Sequence, residues 1–343
     1  MSKNAKNPFD RLEDEDRFGP WPEQSLAFLQ MIDRTQFQKP RCIALEGWDT
    51  TTIKLVSEKG QGSREAPRTS RDDSHAVQNL LVGLSETKLL AGPSTPHAVD
   101  EMAAALFAKS PNFAPAIEAM RVNAQLKIRQ GARWLHFRPI VIESEPGAGK
   151  TRFVHELGNA SGLPLIYLDC ATMNTLTPIL GQDSSWSHSR PSEIMQAMSA
   201  SRIANPFVAL DELDKLQNHG RNAHPKPSES LVGLLEATTA KAHLDHYTQA
   251  TLDMRFINWI ILVNDLNRLS KPFLDRCQVI RLPKLTSGDI AKIAAGEIER
   301  RGLEPELVEP LAKAVRSGRI TSLRKLNKAL DAAEAASARP ILN

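Results

Sequence analysis

The run SEPGAGKT at 144–151 follows the apolar stretch PIVIE (139–143) and leads into the helix-like TRFVHELG. Glycines in a turn between strand and helix let backbone N–H groups wrap phosphate oxygens, and the helix N-terminus adds partial positive charge. Pro146, Gly147, Ala148 and Gly149 would line the phosphates, with Arg152 just behind them. Lys150 would reach the β- and γ-phosphates, and the Thr151 hydroxyl would hold Mg²⁺. The spacing G-x-x-x-x-G-K-[ST] is met except at its first position, where Ser144 stands. Glu145 adds a carboxylate that would weaken nucleotide affinity if it pointed inward. The plainer alternative is a glycine turn capped by Lys and Thr.

A second run, PFVALDEL (206–213), closes on Asp211 and Glu212. At the C-terminal end of a strand, an aspartate can hold Mg²⁺ through water while a glutamate polarises the attacking water. A strand that simply runs into a helix N-cap also favours Asp and Glu there. The pairing with the loop at 144–151 is what points to ATP hydrolysis, with ATP and Mg²⁺ as the ligands.

These groups need a scaffold that brings strand ends together. Short apolar runs recur at PIVIE (139–143), LPLIYLDC (163–170), PFVALDE (206–212), NWIILVN (258–264) and CQVIRL (277–282), spaced by helical or polar segments. Continuous apolar strands of this kind suit a parallel sheet covered on both faces. The expected fold is α/β, a three-layer α-β-α domain around a five-stranded parallel sheet. A helical pattern over 98–130 breaks near Pro111 and stops at Gly131; beyond Pro283 three amphipathic helices follow, with Gly302 and Gly318 as stops. The domains read as 1–95, a variable and partly disordered N-terminal region; 96–283, the α/β core; and 284–343, a helical lid. Within the first, 57–74 lacks any large apolar residue and reads as a linker. LAFLQMI (26–32) and VQNLLVGL (77–84) suggest short helices, and 41–56 alternates like a hairpin.

The blocks LDELDKL (210–216), LLEATTAKAHLDHY (234–247), NWIILVNDLN (258–267) and KPFLDRCQVIRLP (271–283) resemble the AAA+ module of Lon-type ATPases, over about residues 98–283. The resemblance implies that Asn264 is the sensor-1 residue and Arg276 the arginine finger that reaches a ring neighbour's nucleotide. It implies Arg324 as the lid arginine called sensor 2, with Arg319 competing for the role. Trp186, five residues before Pro191, matches the spacing of the family's central-pore loop, although Trp186-Ser187-His188 replaces the usual aromatic-aliphatic-glycine sequence. It further implies a ring homo-oligomer, a hexamer, acting on a protein client or with a separate protease. Too few residues follow the lid helices for a Ser/Lys peptidase domain, so the expectation is the motor without the protease.

Composition bounds the rest. The 343 residues carry 43 Lys and Arg against 40 Asp and Glu, a net +3, so no strong field draws the chain to nucleic acid. A local patch of Arg121, Lys127, Arg129, Arg133 and Arg138 keeps open an alternative, a nucleic-acid-associated loader or switch. Ser144 and Glu145 keep open a nucleotide-gated scaffold with little hydrolysis. Cys42, Cys170 and Cys277 lie far apart, which argues against a disulfide framework and fits a reducing, cytoplasmic setting. WIILV (259–263) is strand-length, so no membrane association is expected. His219 and His224 read as loop residues, and Asp245–His246 as a packing or capping pair with no nucleophile to serve.

Overall fold

The computed structural model describes residues 51–56, 71–183, 186, 189–216 and 226–337, all within one compact unit, Lys39–Asn343. The helix expected at 26–32, the first limb of the hairpin at 41–50, most of the linker and both loop histidines lie outside the described residues. Strand β1 (Thr51–Lys54) forms where alternation predicts it, but pairs antiparallel with β2 (Thr87–Leu90), beyond helix α1 (Arg71–Ser85). Alternation fixes which face a strand buries and says nothing of its partner. Helix α1 also claims 71–74 from the stretch read as a linker.

Helix α2 (Pro96–Lys109) starts on Thr95, whose hydroxyl accepts from Ala98 N, with proline at the first turn where no N–H is needed. A 3-10 turn at Pro111–Phe113 separates it from α3 (Ala114–Arg129), which ends at Gln130 with Gly131 beyond it at φ 98. The core then alternates: β3 (Ile140–Glu143), α4 (Lys150–Ser161), β4 (Leu165–Asp169), α5 (Glu193–Ala200), β5 (Phe207–Asp211), β8 (Asn258–Val263), α6 (Lys271–Asp275) and β9 (Gln278–Arg281). A two-stranded ribbon, β6 (His243–Leu244) with β7 (Thr251–Leu252), precedes β8.

The sheet order is β4-β5-β8-β3-β9, and every neighbouring pair is parallel. Ile140, Ile142, Phe207, Ala209, Ile260 and Leu262 alternate onto one face, where they join Phe113, Met120, Phe153 and Leu157 in a single core. Val141, Val208, Leu210, Trp259, Ile261 and Val263 take the opposite face and are buried as well. Both faces are therefore dry, which is why the strands read as unbroken apolar runs. The register aligns Asp169 with Asp211 and Glu143 with Val263, so the strands finish together along one edge.

Two buried amides tie the opposite edge. Asn205 accepts from Ala91 N and donates to the Ala91 and Leu135 carbonyls, while Asn258 accepts from Phe137 N and donates to the Asn205 and Leu135 carbonyls. Both are fully buried. Asn205→Ala would leave the Ala91 N–H without its partner in a dry site and take from the Ala91 and Leu135 carbonyls one of their two donors. The expected loss is about 2–4 kcal/mol, read as a lower midpoint in denaturant with an unchanged slope. A midpoint equal to wild type would show that the amide is dispensable.

Helices α7 (Ser287–Arg301), α8 (Val308–Arg316) and α9 (Leu323–Ser337) follow, with no further strand among the described residues. Thr286 and Asp289 form a reciprocal capping box at the start of α7. The three helices share their own core around Ile290, Ile298, Leu311, Val315, Leu326 and Leu330. None of the described helices is long and apolar enough to cross a membrane.

Candidate nucleotide-hydrolysis site

The loop after β3 needs left-handed backbone at two places. Gly147 (φ 83) and Gly149 (φ 90) supply it. A Cβ on Gly147 would come within 3.3 Å of Ser322, and one on Gly149 within 3.1 Å of Leu323, so the start of α9 lies directly against the loop. Leu323 N donates to the Gly147 carbonyl (3.2 Å) and fixes that contact. Ser144, at the missing first glycine, is not among the residues of positive φ; it is buried, and its N–H donates to the Val263 carbonyl. Serine is accommodated because this position asks for nothing that only glycine provides. Glu145 pairs with Lys284 (2.6 Å) and its side chain is exposed, so its charge is directed to that ammonium.

Lys150 opens α4 and is buried. Its ammonium donates to Asn264 Oδ1 (2.7 Å), the Ser144 carbonyl (2.9 Å) and Ser144 Oγ (3.2 Å). Burial pulls its pKa below the ordinary lysine value, against the opposing pull of Asp211, Asp214 and Glu212. Asn264 extends the network, since its amide nitrogen donates to Glu212 Oε1 (3.4 Å) and its backbone N–H to Asp214 Oδ1 (3.3 Å). Glu212 sits at φ 54, a left-handed conformation for a side chain with a Cβ, and its Oε2 accepts from Lys215 (2.6 Å). Burial raises its pKa, but hydrogen bonds from Lys215 and Asn264 and the charges of Lys215 and Lys150 outweigh it. The net shift is downward, and the group stays a carboxylate at neutral pH.

Asp211 closes the arrangement. Its Oδ2 accepts from the Thr151 hydroxyl and from the Tyr167 phenol, both at 2.7 Å. Its Oδ1 is buried with no hydrogen-bond partner. A carboxylate oxygen left bare beside a threonine hydroxyl is the donor set of a hard cation that binds few protein ligands and leaves the rest to water and phosphate. Thr151 and Asp211 therefore fit Mg²⁺. No cluster of three or more His, Cys, Asp or Glu capable of holding a metal occurs among the described residues. Tyr167, which sequence reasoning passed over, is raised by burial first and by Asp211 second, so it remains a hydrogen-bond donor.

Residues 140–285 match the family described as ATPase family associated with various cellular activities (AAA). They form an AAA domain. The relatives agree: Lon protease 4 of Sorangium cellulosum is 28% identical over 165 residues, and Lon protease of Helicobacter pylori strain 26695 is 27% identical over 169. Each match takes in 48% of this chain and 20% of the relative, so the chain spans about a fifth of the length of these proteases. Among solved structures, closed-state Hsp104 with ATPγS and FITC-casein superposes with a TM-score of 0.51 at 17% identity. That match covers 68% of this chain and 46% of the other, and the likeness is one of fold.

Around the AAA domain's loop the remaining expected residues take up separate positions. Arg152 pairs with Glu297 of α7 (2.5 Å), a carboxylate buried among Arg152, Arg300 and Arg301, so this arginine links the loop helix to the lid helices. Arg324 follows Leu323, the residue in contact with Gly149, and is exposed; Arg319 is exposed too. Arg276, at the end of α6, is paired with Glu236 and not with the adjacent Asp275. Trp186 is 64% exposed, which excludes burial against the domain flank. Asp245 caps a turn, accepting from Thr248 N and Thr248 Oγ1. Lys215, Asp214 and Glu297 were not singled out from sequence; only the i,i+3 spacing of Glu212 and Lys215 signals one of these contacts.

Proposed function

We propose that the chain is an ATP-hydrolysing motor that works as a head-to-tail ring homo-oligomer, a hexamer, and remodels, unfolds or threads a protein client. The observation that carries this reading is the Asn264 amide, which bonds Lys150 through its oxygen and Glu212 through its nitrogen. One side chain thus joins the group that grips the γ-phosphate to the group that activates water.

Backbone N–H groups of residues 147–151 receive the phosphates at the N-terminus of α4, and Lys150 turns its ammonium from the loop carbonyls to the phosphate oxygens. Mg²⁺ held by Thr151 and Asp211 supplies positive charge to the phosphate oxygens when bound. Glu212 orients water and accepts its proton as oxygen attacks the γ-phosphorus and the bond to the β-phosphate oxygen breaks, leaving ADP and phosphate. Arg324 follows the phosphates from the lid, a role supported by its position one residue beyond Leu323, which touches Gly149. Leu323 and Glu297 give the lid two holds on the loop and its helix, by which hydrolysis can shift it.

A protein client is supported by Trp186, a rigid exposed ring that gains contact area at little entropic cost. The named relatives are proteases and Hsp104 was solved with casein. A partner protease is compatible with this reading. The nucleic-acid alternative loses ground because Arg121 is bound by Glu118 and Asp100. The buried free thiols Cys170 and Cys277 agree with a reducing, cytoplasmic setting. An unfolded polypeptide such as casein is expected to raise ATP turnover severalfold in the wild-type protein and hardly at all in Trp186→Ala, with basal turnover preserved. Stimulation by salt-sensitive DNA binding in place of polypeptide would overturn the client assignment.

A further inference from the structure

The guanidinium of Arg276 is held on two sides. Its Nε donates to Glu236 Oε2 (3.0 Å), Nη2 lies 3.0 Å from the same oxygen, and Nη1 donates to the Pro272 carbonyl (2.9 Å). The other carboxylate oxygen, Glu236 Oε1, accepts from the Thr238 hydroxyl (3.2 Å), so the acid is itself fixed. A guanidinium has five N–H donors in one plane; two are hydrogen-bonded here, and Nη2 is in ion-pair contact with the same carboxylate. The Nε–Nη2 edge faces Glu236, and the carbonyl of the preceding turn takes one hydrogen of Nη1. What remains is at least one N–H on each terminal nitrogen, and these two nitrogens form the fork that can match two oxygens of a phosphate. Arg276 stands where α6 gives way to β9, the outer strand of the sheet, with its side chain one-third exposed.

We infer that Glu236 is a positioning residue for phosphoryl transfer in a neighbouring subunit: it orients Arg276 so that the free fork points outward. The inference rests on the proposed role of Arg276 as a finger. An arginine without such a holder samples many rotamers, and a small misplacement of a charged group from a transferring phosphoryl costs about a hundredfold in rate at the upper end. Two other geometries are thereby distinguished. A carboxylate that covered the forked end would restrain the finger until assembly, and its removal would raise activity. A carboxylate serving only the fold would leave kcat alone once stability is restored.

The test is steady-state ATP hydrolysis by the full chain, at concentrations where it assembles, for wild type, Arg276→Ala, Glu236→Ala, Glu236→Gln and the double alanine variant. Expected are a kcat lowered about tenfold or more in Glu236→Ala with KM within twofold, and a smaller loss in Glu236→Gln, whose amide oxygen still accepts from Nε. The double variant should match Arg276→Ala, because the acid acts only through the arginine. Mixing Glu236→Ala subunits with Lys150→Ala subunits should recover activity, since the latter present an intact finger to a competent site. Misfolded subunits would not recover in the mixture. Full or raised kcat in Glu236→Ala beside an inactive Arg276→Ala would overturn the positioning role and leave the finger standing. Full activity in Arg276→Ala would remove the finger, and the positioning role with it.

Discussion

Replacing Lys150 with alanine is expected to lower ATP hydrolysis by at least about a hundredfold, the scale on which removal of one preorganised charge donor acts. The ammonium is enclosed by the Ser144 carbonyl, Ser144 Oγ and Asn264 Oδ1, all acceptors that draw it toward the loop when no phosphate competes. The same enclosure argues that the variant folds. Burial lowers the Lys150 pKa, so the charged form is disfavoured in the folded chain relative to the unfolded one. At neutral pH that difference weighs against the native state, and it fades only as pH rises through the folded pKa. Alanine removes this cost, offsetting the loss of the donor to Ser144 and Asn264. Melting of the nucleotide-free protein should therefore stay near wild type, while protection by added ATP is lost. Normal turnover in Lys150→Ala would remove the loop from the chemistry and the proposed function with it.

The loop was readable in the sequence because its constraints are local. Left-handed backbone at 147 and 149 demands glycine, a cation enclosed by the loop calls for lysine, and both are written within a few residues. The five strands were readable for a related reason, since a sheet buried on both faces shows as unbroken apolar runs whatever its neighbours are. The sheet order, by contrast, depends on which runs meet in space. So does β1, whose partner β2 lies beyond a helix. Long-range pairings of this kind leave no mark in any single window of sequence.

The charged partners tell the same story. Glu145 is paired by Lys284, 139 positions further along the chain, and that pairing leaves no trace in the loop's own sequence. Arg276 is held by an acid 40 positions earlier in the chain, a distance that no local pattern spans. Asn205 and Asn258 gave no signal at all, because a buried amide is recognised only by the backbone groups it satisfies, and those come from residues 91, 135 and 137. The left-handed Glu212 was equally silent. A non-glycine residue in that conformation costs of order 1–3 kcal/mol and persists only where its surroundings over-determine it. Here Lys215 and Asn264 do so, and the strain sits on the residue assigned to water.

That residue provides the second large expectation. Glu212→Gln should bind ATP with an affinity within a few-fold of wild type and turn it over about 10²–10⁴ times more slowly, the range that a positioned base contributes. Glutamine matches glutamate in shape and tolerates the same backbone, so the contact with Asn264 and the turn after β5 survive. What disappears is the capacity to take a proton. The wild-type carboxylate has that capacity at neutral pH because lysine and amide contacts hold its pKa below the ordinary value despite burial. By the same sign, wild-type turnover should persist into mildly acidic buffer and fall only as pH drops through that lowered pKa. Equilibrium binding of a fluorescent ATP analogue, set beside single-turnover hydrolysis, separates the two effects. Turnover within tenfold of wild type would deny Glu212 the role of base. Loss of binding as well would move it from hydrolysis to nucleotide retention, in which case Asn264 would be joining two binding groups and the observation that carries the proposed function would lose its force.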